Sequence, residues 1–114
     1  MFTVDERLRL LSEASAHLPN VRTRRFEGLT VDLAREEGAN VLVRSAHKET
    51  ADELSMAAMN LITGDIPTTF VPADPLTRTI SSSVVRQLVE AGQTAAAQKL
   101  VPTCVRRALA DIAL

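Results

Sequence analysis

Hydroxyl groups gather at one place in this sequence: Thr79-Ile80-Ser81-Ser82-Ser83 runs straight into the apolar pattern Val84, Val85, Leu88 and Val89. A helix that starts there turns its unpaired first amides and three serine hydroxyls toward one point. At the carboxyl end of a strand this is a phosphate-binding geometry. The same run also caps its own helix with no ligand, so the serines alone leave both roles open. Arg44 closes the β-rich run Val41-Leu42-Val43 and is expected at the same carboxyl edge, where a guanidinium suits phosphate oxygens. His47 and Lys48 follow it, either as further donors or as members of an ordinary polar loop. Glu53 and Asn60 stand two helical turns apart on one face, so one ligand could touch both. No Walker loop, GxGxxG, HExxH or ordered Ser-His-Asp set occurs. The residues therefore offer anion binding, and neither a catalytic residue nor a metal ligand set is assigned.

The elements that must carry these groups follow from periodicity. Thr3 with Glu6 forms a capping-box signature, and Val4, Leu8, Leu11, Ala14 and Leu18 recur at helical spacing over about 4–17. Val21 to Phe26 alternates apolar residues with arginines and predicts a strand. A helix over 29–37 ends at Gly38, a natural left-handed residue, before the strand at 41–44. A third helix at about 49–62 places Ala51, Leu54, Ala58, Met59 and Ile62 toward the core, and Thr63-Gly64-Asp65 closes it. Thr68 to Val71 is a third strand, Gly92 ends the helix after the serines, Ala95 to Leu100 adds a further turn or two, and a last helix turns Val105, Leu109 and Ile112 inward. Cys104 on that helix is expected to pack as a core thiol, and His17 to sit beside a helix carboxyl end. Strands alternating with helices give an α/β protein with a parallel sheet of about three strands flanked by helices.

Composition narrows the partners. With 114 residues, 46% hydrophobic and 24% charged, the chain fits one domain of a soluble type. Thirteen Lys and Arg against 14 Asp and Glu create no field that would attract nucleic acid or an anionic membrane, so any anion needs a local site. A lone cysteine excludes an internal disulfide framework and suits a reducing cytoplasm. No signal-peptide pattern and no membrane-length apolar run is present.

Several segments, in order, resemble one family. Met1-Phe2-Thr3-Val4-Asp5-Glu6-Arg7, Phe26-Glu27-Gly28-Leu29-Thr30-Val31-Asp32, Val41-Leu42-Val43-Arg44, Met59-Asn60, Ile80-Ser81-Ser82-Ser83-Val84-Val85 and Leu100-Val101-Pro102 are similar to successive segments of the phosphopantetheine adenylyltransferases. The resemblance implies a Rossmann-like nucleotidyltransferase fold in which ATP adenylylates 4′-phosphopantetheine, giving dephospho-coenzyme A and diphosphate in coenzyme A synthesis. It implies that Arg44, Glu53, Ser81, Ser82 and Ser83 bind the nucleotide, that Leu29, Arg44 and Asn60 meet the pantetheine substrate, and that magnesium accompanies ATP. A cytoplasmic homo-oligomer is implied as well.

The chain departs from the family at recognisable points. The Arg-Gly-Leu-Arg motif reads Arg44-Ser45-Ala46-His47, and the loop before Ile80 lacks an aromatic residue. The family's first strand, its Gly-Thr-Phe-Asp-Pro turn, its His-x-x-His type motif and its second strand have no counterpart here. The expectation is therefore a single, amino-terminally truncated nucleotidyltransferase-like domain over 1–114, without the first two strands of the family fold and inactive or weak as an isolated chain. Whether it acts as an enzyme is left open. Its rivals are a non-catalytic nucleotide-binding or assembly subunit or remnant, and a nicotinamide-nucleotide type adenylyltransferase.

Overall fold

Thr3 opens the first helix by accepting the Glu6 amide on its hydroxyl at 3.1 Å, with Asp5 and Glu6 in the first turn where the helix dipole favours acids. The elements in chain order are α1 (Val4–Ala14), α2 (Thr30–Glu36), β1 (Leu42–Ala46), α3 (Ala51–Gly64), β2 (Thr68–Pro72), α4 (Ser82–Glu90), α5 (Thr94–Gln98) and α6 (Thr103–Ala113). This computed structural model describes residues 1–46 and 51–113. The chain divides into two units, one made of Met1–Arg25 and Ile80–Leu114, the other of Phe26–Thr79.

The first unit is helical among its described residues. Its α6 packs on both α1 and α5, around buried Leu10, Ala97 and Leu109. Leu109 fills that position from the stripe predicted for the last helix, while Val105 is half-buried and Ile112 exposed. Cys104 is half-buried, and its Sγ donates to the carbonyl oxygen of Leu10 at 3.6 Å, which ties α6 to α1. Gln98 Nε2 donates to the Arg106 carbonyl at 3.1 Å and Arg106 Nε to the Gln98 carbonyl at 3.2 Å, a reciprocal pair that locks α5 against α6. Gly92 ends α4 at φ +76°, where Gln93 N reaches Leu88 O at 2.7 Å and Gly92 N reaches Val89 O at 3.0 Å. That pair satisfies the carbonyls a helix end would otherwise leave bare, as the glycine's position predicted.

The strand expected at 21–26 does not form. Residues 21–27 carry no strand, and within the first unit Thr23 instead meets Ser12 hydroxyl to hydroxyl at 2.7 Å while Arg25 Nη1 reaches Asp5 Oδ1 at 3.4 Å. Alternation supplies side chains suited to a pleat, but a strand also needs a neighbour for its backbone. These side chains are engaged by α1. Among the described residues the sheet accordingly has two strands where three were expected.

The second unit holds that sheet. β1 and β2 pair in parallel, from Leu42 opposite Thr68 to Ala46 opposite Pro72, with α3 as the crossover between them. Val31 and Ala34 of α2, together with Ile66, form a small core against which Leu42 packs. This is a mixed α/β arrangement, a small parallel sheet flanked by helices and a partial Rossmann-like fold. Among the described residues, no helix is long and apolar enough to cross a membrane.

Helix α3 reverses the expected orientation. Its inner stripe, packed toward α2 and β2, is Glu53, Ala57, Asn60 and Gly64, with Asn60 only 7% exposed. The residues predicted for the core lie outside instead: Leu54, Met59 and Ile62 are exposed, Ile62 at 77%. Two features of the inner face account for this. Gly64 comes so close to Val31 that a side chain there has no room, and the small Ala57 lies between the polar Glu53 and Asn60 on the remaining inward positions. Close approach sets the rotation of the helix rather than its apolar moment.

Candidate functional site

The start of α4 is built as its sequence indicates. Ser81 adopts extended backbone at φ −147° and ψ 160°, and its hydroxyl accepts the Val84 amide at 3.2 Å. One of the three serine hydroxyls is thereby committed to capping. Ser83 Oγ accepts from Arg86 Nη2 at 3.4 Å, while the backbone amides of Ser82 and Ser83 are among those a helix start leaves without intrahelical acceptors. Ser81→Ala is therefore expected to lower stability by about 1 kcal/mol in urea unfolding, whereas Ser82→Ala stays within about 0.5 kcal/mol.

This helix start opens onto a cavity of about 770 Å³ inside the first unit. Ser81, Ser82, Val85 and Arg86 form its α4 wall, and Arg7, Leu10 and Leu11 form its α1 wall. Ser83 is not among the lining residues. The volume falls in the range of small-molecule sites, and the walls are mostly apolar with a few polar groups, the usual make-up of such sites. Arg7 and Arg86 were not singled out by sequence reasoning. The signal was present, since Arg86 stands four residues after Ser82 on one helical face and Arg7 shares a face with Leu10, Leu11 and Ala14.

The remaining predicted residues belong to the second unit. Arg44 is the middle residue of β1 rather than its end, is exposed, and shares a sheet face with Leu42 by strand alternation. Glu53 and Asn60 do share one face of α3, as their spacing required, and that face is turned inward. Leu29 is the N-cap of α2, in extended backbone with its side chain 61% exposed. The second unit thus places Glu53 and Asn60 on one stripe, while Ser81 and Ser82 share the cavity of the first. His47 and Lys48 lie outside the described residues. Among the described residues, no three His, Cys, Asp or Glu side chains are grouped so as to hold a metal ion.

No family model matches the chain. A phosphopantetheine adenylyltransferase of Deinococcus radiodurans is 40% identical to it over 94 residues, which is 81% of this chain and 56% of that protein. The chain thus spans a little over half the length of this curated relative. At that identity over four-fifths of its residues, the resemblance read from the sequence is a relationship by descent, and the chain is a homologue of the phosphopantetheine adenylyltransferases.

Proposed function

We propose that this chain serves the adenylyl transfer of coenzyme A synthesis, in which ATP and 4′-phosphopantetheine give dephospho-coenzyme A and diphosphate. The observation that carries this reading is the 40% identity with a phosphopantetheine adenylyltransferase over 81% of the chain. The α4 start adds to it, because a capped helix with free leading amides beside a cavity suits a phosphate group. In this reading Ser81, Ser82 and Ser83 hold the nucleotide at that helix start, and Arg44 and Glu53 are its further contacts. Leu29, Arg44 and Asn60 receive the pantetheine substrate, and residues 1–114 are read as a single nucleotidyltransferase-like domain.

Phosphoryl and adenylyl transfers depend almost wholly on positioning and charge stabilisation. The groups assigned here bind and orient. Magnesium belongs to the reading as the counter-ion of the ATP phosphates, whose hard oxygens suit it. A cytoplasmic, homo-oligomeric protein completes the proposal. The exposed apolar residues of α3 support association, because patches of that kind on a small protein mark interaction surfaces.

The test follows dephospho-coenzyme A and diphosphate after mixing the chain with ATP, magnesium and 4′-phosphopantetheine, alongside calorimetric titration of each substrate. Saturable binding of ATP, with at most slow product formation, is the expected result. Absence of heat with ATP at millimolar concentration, in protein shown by circular dichroism to be folded, would overturn the reading.

A further inference from the structure

In the sheet of the second unit each strand has one neighbour among the described residues, so each has an outer edge. Backbone groups alternate in direction along a strand, and the Leu42 amide donates to the Pro67 carbonyl at 2.8 Å. Leu42, Arg44 and Ala46 therefore turn their backbone groups to β2, whereas Val43 and Ser45 turn theirs to the outer edge. The two edges are not equivalent. On β2 the outward positions are Thr68, Phe70 and Pro72, and the proline has no N–H to give. β1 contains no proline, and its one charged residue, Arg44, lies on the sheet face opposite Val43. An edge of that kind is a template for another strand. The face beside it is bare as well. Val41, Val43 and Val71 lie on it by strand alternation and by the pairing of Ser45 with Val71, and all three are exposed, Val43 at 64%. Parallel strands are ordinarily covered on both faces, and two strands alone are marginal in water.

We infer that β1 is the pairing edge for β1 of a second copy, the two strands running antiparallel about a two-fold axis at Val43 and joining the sheets in the order β2-β1-β1-β2. Antiparallel pairing makes the contact isologous, with the same groups on both sides. Charge fixes the register. Centred on Val43, the pairing sets Arg44 opposite Leu42 of the second copy, whereas a two-fold centred on Arg44 would oppose two guanidiniums directly. The join also makes the valine patch continuous, with Val43 of both copies at its centre and Val41 and Val71 to either side. This contact is independent of the adenylyl-transfer reading.

Sedimentation equilibrium of the full chain from micromolar to millimolar concentration tests this on the wild type, Val43→Pro and Ile62→Ser. Val43→Pro removes an N–H that points away from β2, so circular dichroism should show it folded. Ile62 is the most exposed apolar side chain of α3, and its variant controls for association through that helix. The wild type and Ile62→Ser are expected to show the same concentration-dependent dimer, and Val43→Pro to weaken it at least about tenfold. Cross-linking supplies an arm that does not depend on the proline variant folding. On a Cys104→Ser background, Val43→Cys should form a disulfide between copies under mild oxidation, because facing residues of a hydrogen-bonded antiparallel pair lie about 5.5 Å apart at Cα. Val71→Cys, one strand further from the axis, should not. A wild type that stays monomeric throughout, a dimer that folded Val43→Pro leaves intact, or a Val43→Cys that cross-links no better than Val71→Cys would each overturn the inference. Loss of the dimer in Ile62→Ser alone would also overturn it and assign the association to α3.

Discussion

Leu109→Ala is expected to lower the unfolding free energy by about 2–5 kcal/mol, enough to remove much of the margin of a small protein. Leu109 is the largest side chain that is fully enclosed among the described residues, and it sits on the helix that touches both α1 and α5. Ala97 is as completely buried but has little to lose. Truncating the leucine removes its transfer free energy and leaves a void that α5 and α6 cannot readily close, because the reciprocal Gln98 and Arg106 bonds fix their spacing. Urea unfolding followed by circular dichroism measures the loss. Leu109→Met nearly conserves volume and should cost less than about 1.5 kcal/mol. If the alanine variant were within 1 kcal/mol of wild type, Leu109 would not be the keystone of the helical unit. The consequence reaches the site as well, since the cavity walls are α1 and α4 and their unit is assembled through α6.

The features legible in the sequence were those decided by neighbours in the chain. Thr3 and Ser81 cap because a hydroxyl three residues before an amide meets it with no help from the rest of the fold. Gly38 and Gly92 take positive φ because helix ends of this kind ask for it locally. The parallel pair was legible too, since two short β-rich runs separated by a helix can return only as a crossover. What could not be read was whatever required a partner from elsewhere. Val21 to Phe26 carries a strand pattern and forms no strand, its side chains being taken up by α1 through Ser12 and Asp5. The periodicity of α3 named an apolar stripe correctly but not the side it would face, because the inner contact is set by the close passage of Gly64 past Val31.

The candidate site divides along the same line. The helix start at Ser81 and the shared face of Glu53 and Asn60 follow from helical geometry and are seen in the structure, while only Ser81 and Ser82 of the three serines line the cavity. Arg44 falls in mid-strand because β1 runs two residues past it, pairing Ser45 and Ala46 with Val71 and Pro72. Backbone pairing, not hydrophobicity, sets that limit. Arg7 and Arg86 read individually as ordinary helix charges. Only the folding of α1 beside α4 brings them to one concavity, and no local pattern encodes that.

Gly64→Ala is expected to destabilise the protein by about 2 kcal/mol, against the direction that helix propensity alone would give. Gly64 is the last residue of α3, and the left-handed turn after it belongs to Asp65 at φ +56°, so the glycine is not there for backbone freedom. It is there for space. A Cβ built at Gly64 would overlap Val31 Cγ2 and lie 3.1 Å from Val31 Cβ and 3.3 Å from Arg35 Nη2. Val31 is 2% exposed and walled in by Ala34 and Ile66, so it has nowhere to move, while Arg35 is held by its Nη2 donating to the Thr63 carbonyl at 3.4 Å. Alanine gains about 1 kcal/mol over glycine inside a helix, and the overlap must outweigh that gain by pushing α3 away from α2. Combining the change with Val31→Ala separates the two contributions. With the valine methyl groups gone, Gly64→Ala should cost little or even stabilise, and a double-mutant cycle in urea should show a coupling above about 1 kcal/mol. Additive effects of the two substitutions would show that the approach of α3 to α2 tolerates a methyl group, and that the outward turn of Leu54 and Ile62 has some other origin.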